Sequence, residues 1–218
     1  MQYIKNFVYL VVLMMFFPAS AGSYEDYFQA IKRDDSQAVQ SLLGRGFDVN
    51  TRDPKGLHGL FLAVRDESVK TVAVLLAWPQ VEVESRNEVD ESPLMLASLR
   101  GLTAIARLLI DKGADVNKPG WAPLHYAATN GHVDIMNLLL EHHAYIDASS
   151  PNQSTPLMMA ALYGTPSAVK LLLEAGADPS IKNVLGLTAL DFALRDKRME
   201  SAQIIAAFIR GGQPKGKW

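Results

Sequence analysis

The sequence predicts an all-α solenoid of about six helix-turn-helix repeats joined by short finger loops. Three observations predict it. Taking Leu124 as anchor, the equivalent positions are Tyr27, Leu60, Leu94, Leu157 and Leu190, with spacings along the chain of 33, 34, 30, 33 and 33. Three residues past every anchor stands an alanine: Ala30, Ala63, Ala97, Ala127, Ala160 and Ala193. Fifteen past every anchor stands a large aliphatic: Leu42, Leu75, Leu109, Leu139, Leu172 and Ile205. The small column lets helices approach closely, and the aliphatic column fills the space between helix pairs at interior density. One such pair cannot bury its apolar stripe alone, so copies must stack.

The first repeat, about residues 23–53, opens with a helix from Tyr24 to Arg33. Its apolar stripe (Tyr27, Phe28, Ile31) faces a polar side carrying Glu25, Asp26, Gln29 and Lys32, as suits an end unit with one neighbour. The second, about 54–87, carries one extra residue near Trp78-Pro79, which accounts for the spacing of 34. The third covers about 88–117. The fourth, about 118–148, follows a finger (Lys118-Pro119-Gly120-Trp121) about three residues short, so that loop should project less than its neighbours. Ala148 to Ser154, leading from the fourth into the fifth (about 149–183), is a polar finger with turn chemistry. The sixth covers about 184–210, and 211–218 (GGQPKGKW) reads as a flexible tail.

Local signals agree with this division. Thr155 and Ser92 can cap a helix, and the following Pro156 and Pro93 sit where the missing N–H costs nothing. Gly46, Gly113 and Gly176 stand where a second helix must end, a position that favours left-handed backbone. There are departures: His58-Gly59 replaces the Thr-Pro start, Ala122 cannot cap, and His142-His143 stands where glycine is expected. Asp34, Glu67 and Lys197 replace the mid-repeat glycine, and those copies are expected to be looser.

Thr155-Pro156-Leu157, Ala122-Pro123-Leu124-His125, Gly131-His132 and Gly113-Ala114-Asp115-Val116-Asn117, recurring on a period of 33, resemble the ankyrin repeat over roughly residues 23 to 210. The resemblance implies a concave face lined by finger tips and first-helix ends, used to contact a partner protein. It also implies that His125 and His132 tie loops and adjoining repeats together by hydrogen bonds.

The amino terminus differs from the rest. Lys5 precedes an unbroken apolar run of 11 residues, Phe7 to Phe17, and then Pro18 and Ala19-Ser20-Ala21. This is the pattern of a secretory signal peptide over residues 1–21, cleaved after Ala21; the run falls short of the roughly 20 apolar residues of a spanning helix. Removing it takes the formal charge from −2 to −3, because Lys5 is its one charged residue. An exported protein is therefore expected, with no stable membrane span after cleavage. The periplasm is the expected destination by analogy, since most ankyrin-like proteins of eukaryotes stay inside the cell, and secretion is the alternative. With no cysteine, neither disulfides nor a thiol nucleophile are available. The charge gives no reason to expect nucleic acid.

The resemblance places the two residues before each mid-repeat glycine site on the groove. Of those twelve, five are basic (Lys32, Arg33, Arg65, Arg100, Arg195) and two acidic, in a net acidic chain. With Leu57, Leu99, Trp121, Leu162 and Tyr163 they form the candidate partner-binding set, since Arg and aromatic residues favour interface hot spots. The competing reading is that Arg and Lys merely complement helix C-termini. The acidic finger Glu82, Glu84, Glu88, Asp90, Glu91 reads as a solvated tip without calcium-loop spacing. Adjacent His142 and His143 diverge and His58 is isolated, so no zinc site is expected. His132 with Asp134 lacks a nucleophile motif, and Met95, Met136, Met158 and Met159 read as core. No cofactor, no metal and no enzymatic activity are expected. The expected role is capture of an unidentified protein by a monomer, as an inhibitor or immunity-type protein covering an enzyme, or as an assembly or stress-defence factor.

Overall fold

In a computed structural model, residues 18–212 are described and form twelve helices. They run as pairs: α1 (Pro18–Lys32) with α2 (Ser36–Gly44), α3 (Gly59–Arg65) with α4 (Val69–Ala77), and α5 (Pro93–Arg100) with α6 (Thr103–Asp111). There follow α7 (Pro123–Asn130) with α8 (Val133–Glu141), α9 (Pro156–Leu162) with α10 (Pro166–Glu174), and α11 (Ala189–Arg195) with α12 (Met199–Gly211). Helix α1 starts at Pro18, six residues before the predicted Tyr24, and α12 ends one residue past the predicted Arg210. The apolar run of the proposed export signal lies within 1–17, outside the described residues, as does the tail from 213. Among the described residues no helix is long and apolar enough to cross a membrane.

Contacts divide the chain into two compact units, one ending at Ser85 and one beginning at Arg86. In the first, α1 packs on α3 and α2 on α4, burying Ala30, Ala63, Leu42 and Leu75. In the second, first helices α5, α7, α9 and α11 pack in succession, and second helices α6, α8, α10 and α12 do likewise. There Ala97, Ala127, Ala160 and Ala193, with Leu109, Leu139, Leu172 and Ile205, are all at 0% exposure, so both predicted columns are core. Each such leucine contributes about 1.5–3 kcal/mol by leaving water.

The turn inside each repeat obeys the chain rather than the residue type. Gly101 and Gly131 adopt left-handed backbone (φ 75° and 69°), and Asp34, Glu67 and Lys197 hold it too (φ 53°, 57° and 57°). In all five of these copies the next residue donates its N–H to the column alanine's carbonyl, for example Ser68 to Ala63 at 2.8 Å. Replacing glycine has not loosened this hydrogen bond. Gly164, the fifth copy's glycine, is not left-handed. The cause is Pro166, which has no N–H to make the bond that Val69, Thr103, Val133 and Met199 donate across the same turn. The residue before proline is pushed to extended backbone, and Thr165 (ψ 156°) caps α10 by accepting from Ala168 N–H. Glycine is kept at 164 for space, since a Cβ there would meet the Ala128 carbonyl and the Ala160 backbone.

The second-helix ends follow the prediction: Gly46, Gly113 and Gly176 lie at φ 91°, 94° and 104°, and His143 takes the same role at 63°.

Candidate functional site

Much of the polar chemistry of this chain is spent between repeats. The His125 ring accepts from Ala122 N–H through Nδ1 (3.1 Å), which leaves the proton on Nε2 to be donated to the Ser154 carbonyl at 3.0 Å. His125 thus supplies the reciprocal half of a helix start that Ala122 cannot cap, and Met95 and Met158 thioethers accept at the same position from Ser92 and Thr155 (both 3.4 Å). Burial holds the His125 imidazole below the ordinary histidine value. His132 Nε2 lies 3.0 Å from the Leu99 carbonyl, Ser68 Oγ donates to the Ile31 carbonyl at 2.7 Å, and Arg198 reaches the Gly164 carbonyl. Asn50, Asn117 and Asp147 reach the next finger in the same way, Asn117 Oδ1 accepting from Tyr145 N–H at 2.7 Å. The linking role that the resemblance implied for His125 and His132 is therefore met.

Asp34 adds a link that the sequence reading missed. Its carboxylate accepts from Thr71 N–H at 2.8 Å and caps the N-terminus of α4, whose own Ser68 makes no side-chain cap.

In the first unit, the predicted Lys32 and Arg65 come together. With Tyr24, Phe28, Leu62 and Asp66 they line an open hollow of about 440 Å³. Arg65 is 44% exposed and forms a two-point ion pair with Asp66 (2.8 and 3.1 Å), which raises its pKa. Arg33 does not join them; it lines a separate hollow with Asp26, Asp35 and Arg45. Leu57 is half-buried and lines neither.

In the second unit, Leu99 and Trp121 come together in an apolar notch completed by His125, Tyr126 and Thr129. Arg100 and Arg195 are exposed last residues of α5 and α11, Leu162 is half-buried, and Tyr163 is 58% exposed. Tyr126 was not among the candidates, although its i, i+3 spacing to Thr129 puts both on one helix face. Tyr24 and Phe28, stacked edge-on at 4.9 Å, carry no sequence signal beyond that of an end helix. Among the described residues no group of three or more acidic or histidine side chains converges as a metal site. Buried His58, 3.6 Å from Glu82, is held below the ordinary histidine value chiefly by burial.

A family model described as ankyrin repeats (3 copies) matches residues 27–119, 79–150, 117–183 and 146–211. The chain is 27% identical over 192 residues to the putative ankyrin repeat protein YahD of Escherichia coli (strain K12), covering 84% of this chain and 94% of that protein. It is 28% identical to the human transient receptor potential cation channel subfamily A member 1, over 68% of this chain but only 14% of the channel's length. Among solved structures it is similar to a chain in the Bd0816 predatory endopeptidase from Bdellovibrio bacteriovorus in complex with immunity protein Bd3460. The TM-score there is 0.74 at 27% identity, covering 84% of this chain and 97% of that one.

Proposed function

We propose that this chain, which belongs to the ankyrin-repeat family, works without catalysis as a protein–protein interaction module. It holds its partner on the exposed first-helix ends and the apolar notch. The observation that carries this reading is a division of labour. The histidines and asparagines at motif positions are spent linking repeats, while Lys32, Arg100, Tyr163 and Arg195 at the helix ends remain exposed. Arg and aromatic side chains are the usual anchors of protein interfaces. Backbone already fixed by packing loses little ordering entropy when a partner arrives.

Within this role, inhibition of an enzyme by covering it is the first reading, supported by the similarity to a chain in an endopeptidase–immunity protein complex. Export to the periplasm under the amino-terminal signal, with secretion as alternative, belongs to the same proposal. The test is affinity capture with the purified protein against an Arg65→Glu, Arg100→Glu, Tyr163→Ala variant of equal helicity. Loss of a stoichiometric partner in the variant supports the reading, and undiminished capture counts against it. A captured enzyme whose activity falls on titration identifies inhibition; a multi-subunit complex identifies assembly.

A further inference from the structure

The finger between the third and fourth repeats differs from the others in how its tip is closed. Asp53, Asn87, Ser150 and Asn183 each donate a backbone N–H to the carbonyl four residues on, at 2.8–3.1 Å. Among the described residues no such pair joins Asn117 to Trp121. Beside this open tip the Trp121 ring stands edge-on to His125, with centroids 5.3 Å apart and planes at 77°. With Leu99, Tyr126 and Thr129 these two rings enclose an open notch of about 220 Å³.

The polar groups of His125, Tyr126 and Thr129 in this lining are already engaged. Thr129 Oγ1 donates to the His125 carbonyl at 2.8 Å, and both His125 nitrogens are taken by Ala122 and Ser154. The Tyr126 hydroxyl is turned to the Glu91 carboxylate, which also accepts from Asn87 Nδ2 at 2.7 Å. What remains, apart from the Trp121 indole N–H, is an apolar surface, smaller than the roughly 300–1,000 Å³ that small-molecule sites take. It suits one side chain rather than a metabolite. The turn beside Tyr126 carries Glu88, Asp90 and Glu91 against Arg86 and Lys118, which both pair with Asp90, so that three carboxylates against two cations leave it one negative charge in excess.

We propose that this notch seats one large apolar side chain, leucine to phenylalanine in size, from an extended segment of the bound protein that carries a lysine or arginine within two residues. The inference rests on the reading that the chain binds protein. The aromatic walls and Leu99 take the apolar group, and the Glu88–Glu91 turn faces the flanking cation.

The experiment is selection of a random peptide library on the immobilised protein, followed by titration of the enriched peptides as synthetic probes. Enriched peptides are expected to share a large apolar residue with a basic neighbour. Their affinity should fall at least tenfold in Trp121→Ala and about threefold in Glu91→Gln, the latter effect shrinking as salt is raised. Leu99→Ala, at a half-buried helix end, provides a second variant if Trp121→Ala unfolds. Peptides lacking the apolar residue, an acidic flank, no enrichment, or binding indifferent to both Trp121→Ala and Leu99→Ala overturn the inference. So does self-association abolished by Trp121→Ala, which makes a second copy the occupant. Peptides lost only in the Arg65, Arg100, Tyr163 variant overturn the notch and leave the binding role standing. A captured protein indifferent to every one of these variants removes the binding role as well.

Discussion

The buried imidazole of His125 joins the fourth repeat to the fifth through Nε2–H, and only while neutral can its Nδ1 also accept from Ala122 N–H at the start of its own helix. Its folded pKa is lowered from the ordinary 6.5, first by burial. The unfolded chain therefore takes up the proton at a higher pH than the folded one does. Stability attached to this group is complete above about pH 6.5 and is lost as pH falls through the lower folded value. Urea midpoints should accordingly drop on going from pH 7.5 to 5, and His125→Phe should show a shallower slope. At pH 7.5 that variant should also be less stable by about 1–3 kcal/mol, because the Ala122 N–H loses its acceptor, and the gap should narrow as pH falls. An unchanged slope would contradict this account of the imidazole. A second residue-scale contrast concerns left-handed positions. A side chain there costs about 1–2 kcal/mol, set against the roughly 0.5–1 kcal/mol of backbone entropy that glycine surrenders. Lys197→Gly should be neutral to stabilising. Asp34→Gly gains the same relief but forfeits a helix cap of about 0.5–2 kcal/mol. Lys197→Gly should thus melt above Asp34→Gly, and the reverse order would show that the Asp34 cap carries no weight.

Among the helices, the fifth repeat shows what a glycine is for. Gly164→Ala drives a methyl into the Ala128 carbonyl and should cost about 1–3 kcal/mol through displaced backbone. Gly113→Ala meets nothing within 4 Å and should cost only its left-handed backbone strain, about 1–2 kcal/mol. The two are separable by restoring the missing donor: Pro166→Ala should return the turn to the form of its neighbours and lessen the penalty of Gly164→Ala. A non-additive double-mutant cycle is the expected result and an additive one would contradict it. These helices also mark how much the sequence discloses. The anchor, alanine and aliphatic columns are legible because burial at a fixed period needs the same residue size each time. Caps such as Thr155 and Ser92 are legible because their partner lies three residues away. The Asp34 cap on α4 was not, because donor and acceptor lie 37 residues apart and aspartate replaces a glycine without any local sign. Arg33 follows Lys32 in the chain, yet it stands in the turn just past the end of α1, and the two line different hollows. Tyr126 was legible in principle, through its spacing to Thr129, and the notch emerges only once Trp121 is folded against His125.

For the molecule as a whole, each unit offers its own surface: the Lys32–Arg65 hollow on the first and the Trp121 notch on the second. The second helices bury Val72, Ile105, Ile135 and Val169 at 0–1% exposure, and nothing in the proposed role requires these helices to touch a partner. Raising salt should weaken binding that depends on Arg65, Arg100 and the Glu91 carboxylate while leaving the apolar contribution of the notch in place, since exposed charges are screened and apolar burial is not. The most direct measurement of the central claim is amide hydrogen exchange on the captured complex against the protein alone. Slowed exchange at the ends of the first helices, around residues 30–35, 63–67 and 97–101, and along the notch at 121–131, is the predicted result. Slowing confined to the second helices α2, α4, α6, α8, α10 and α12, with those ends unchanged, would contradict it.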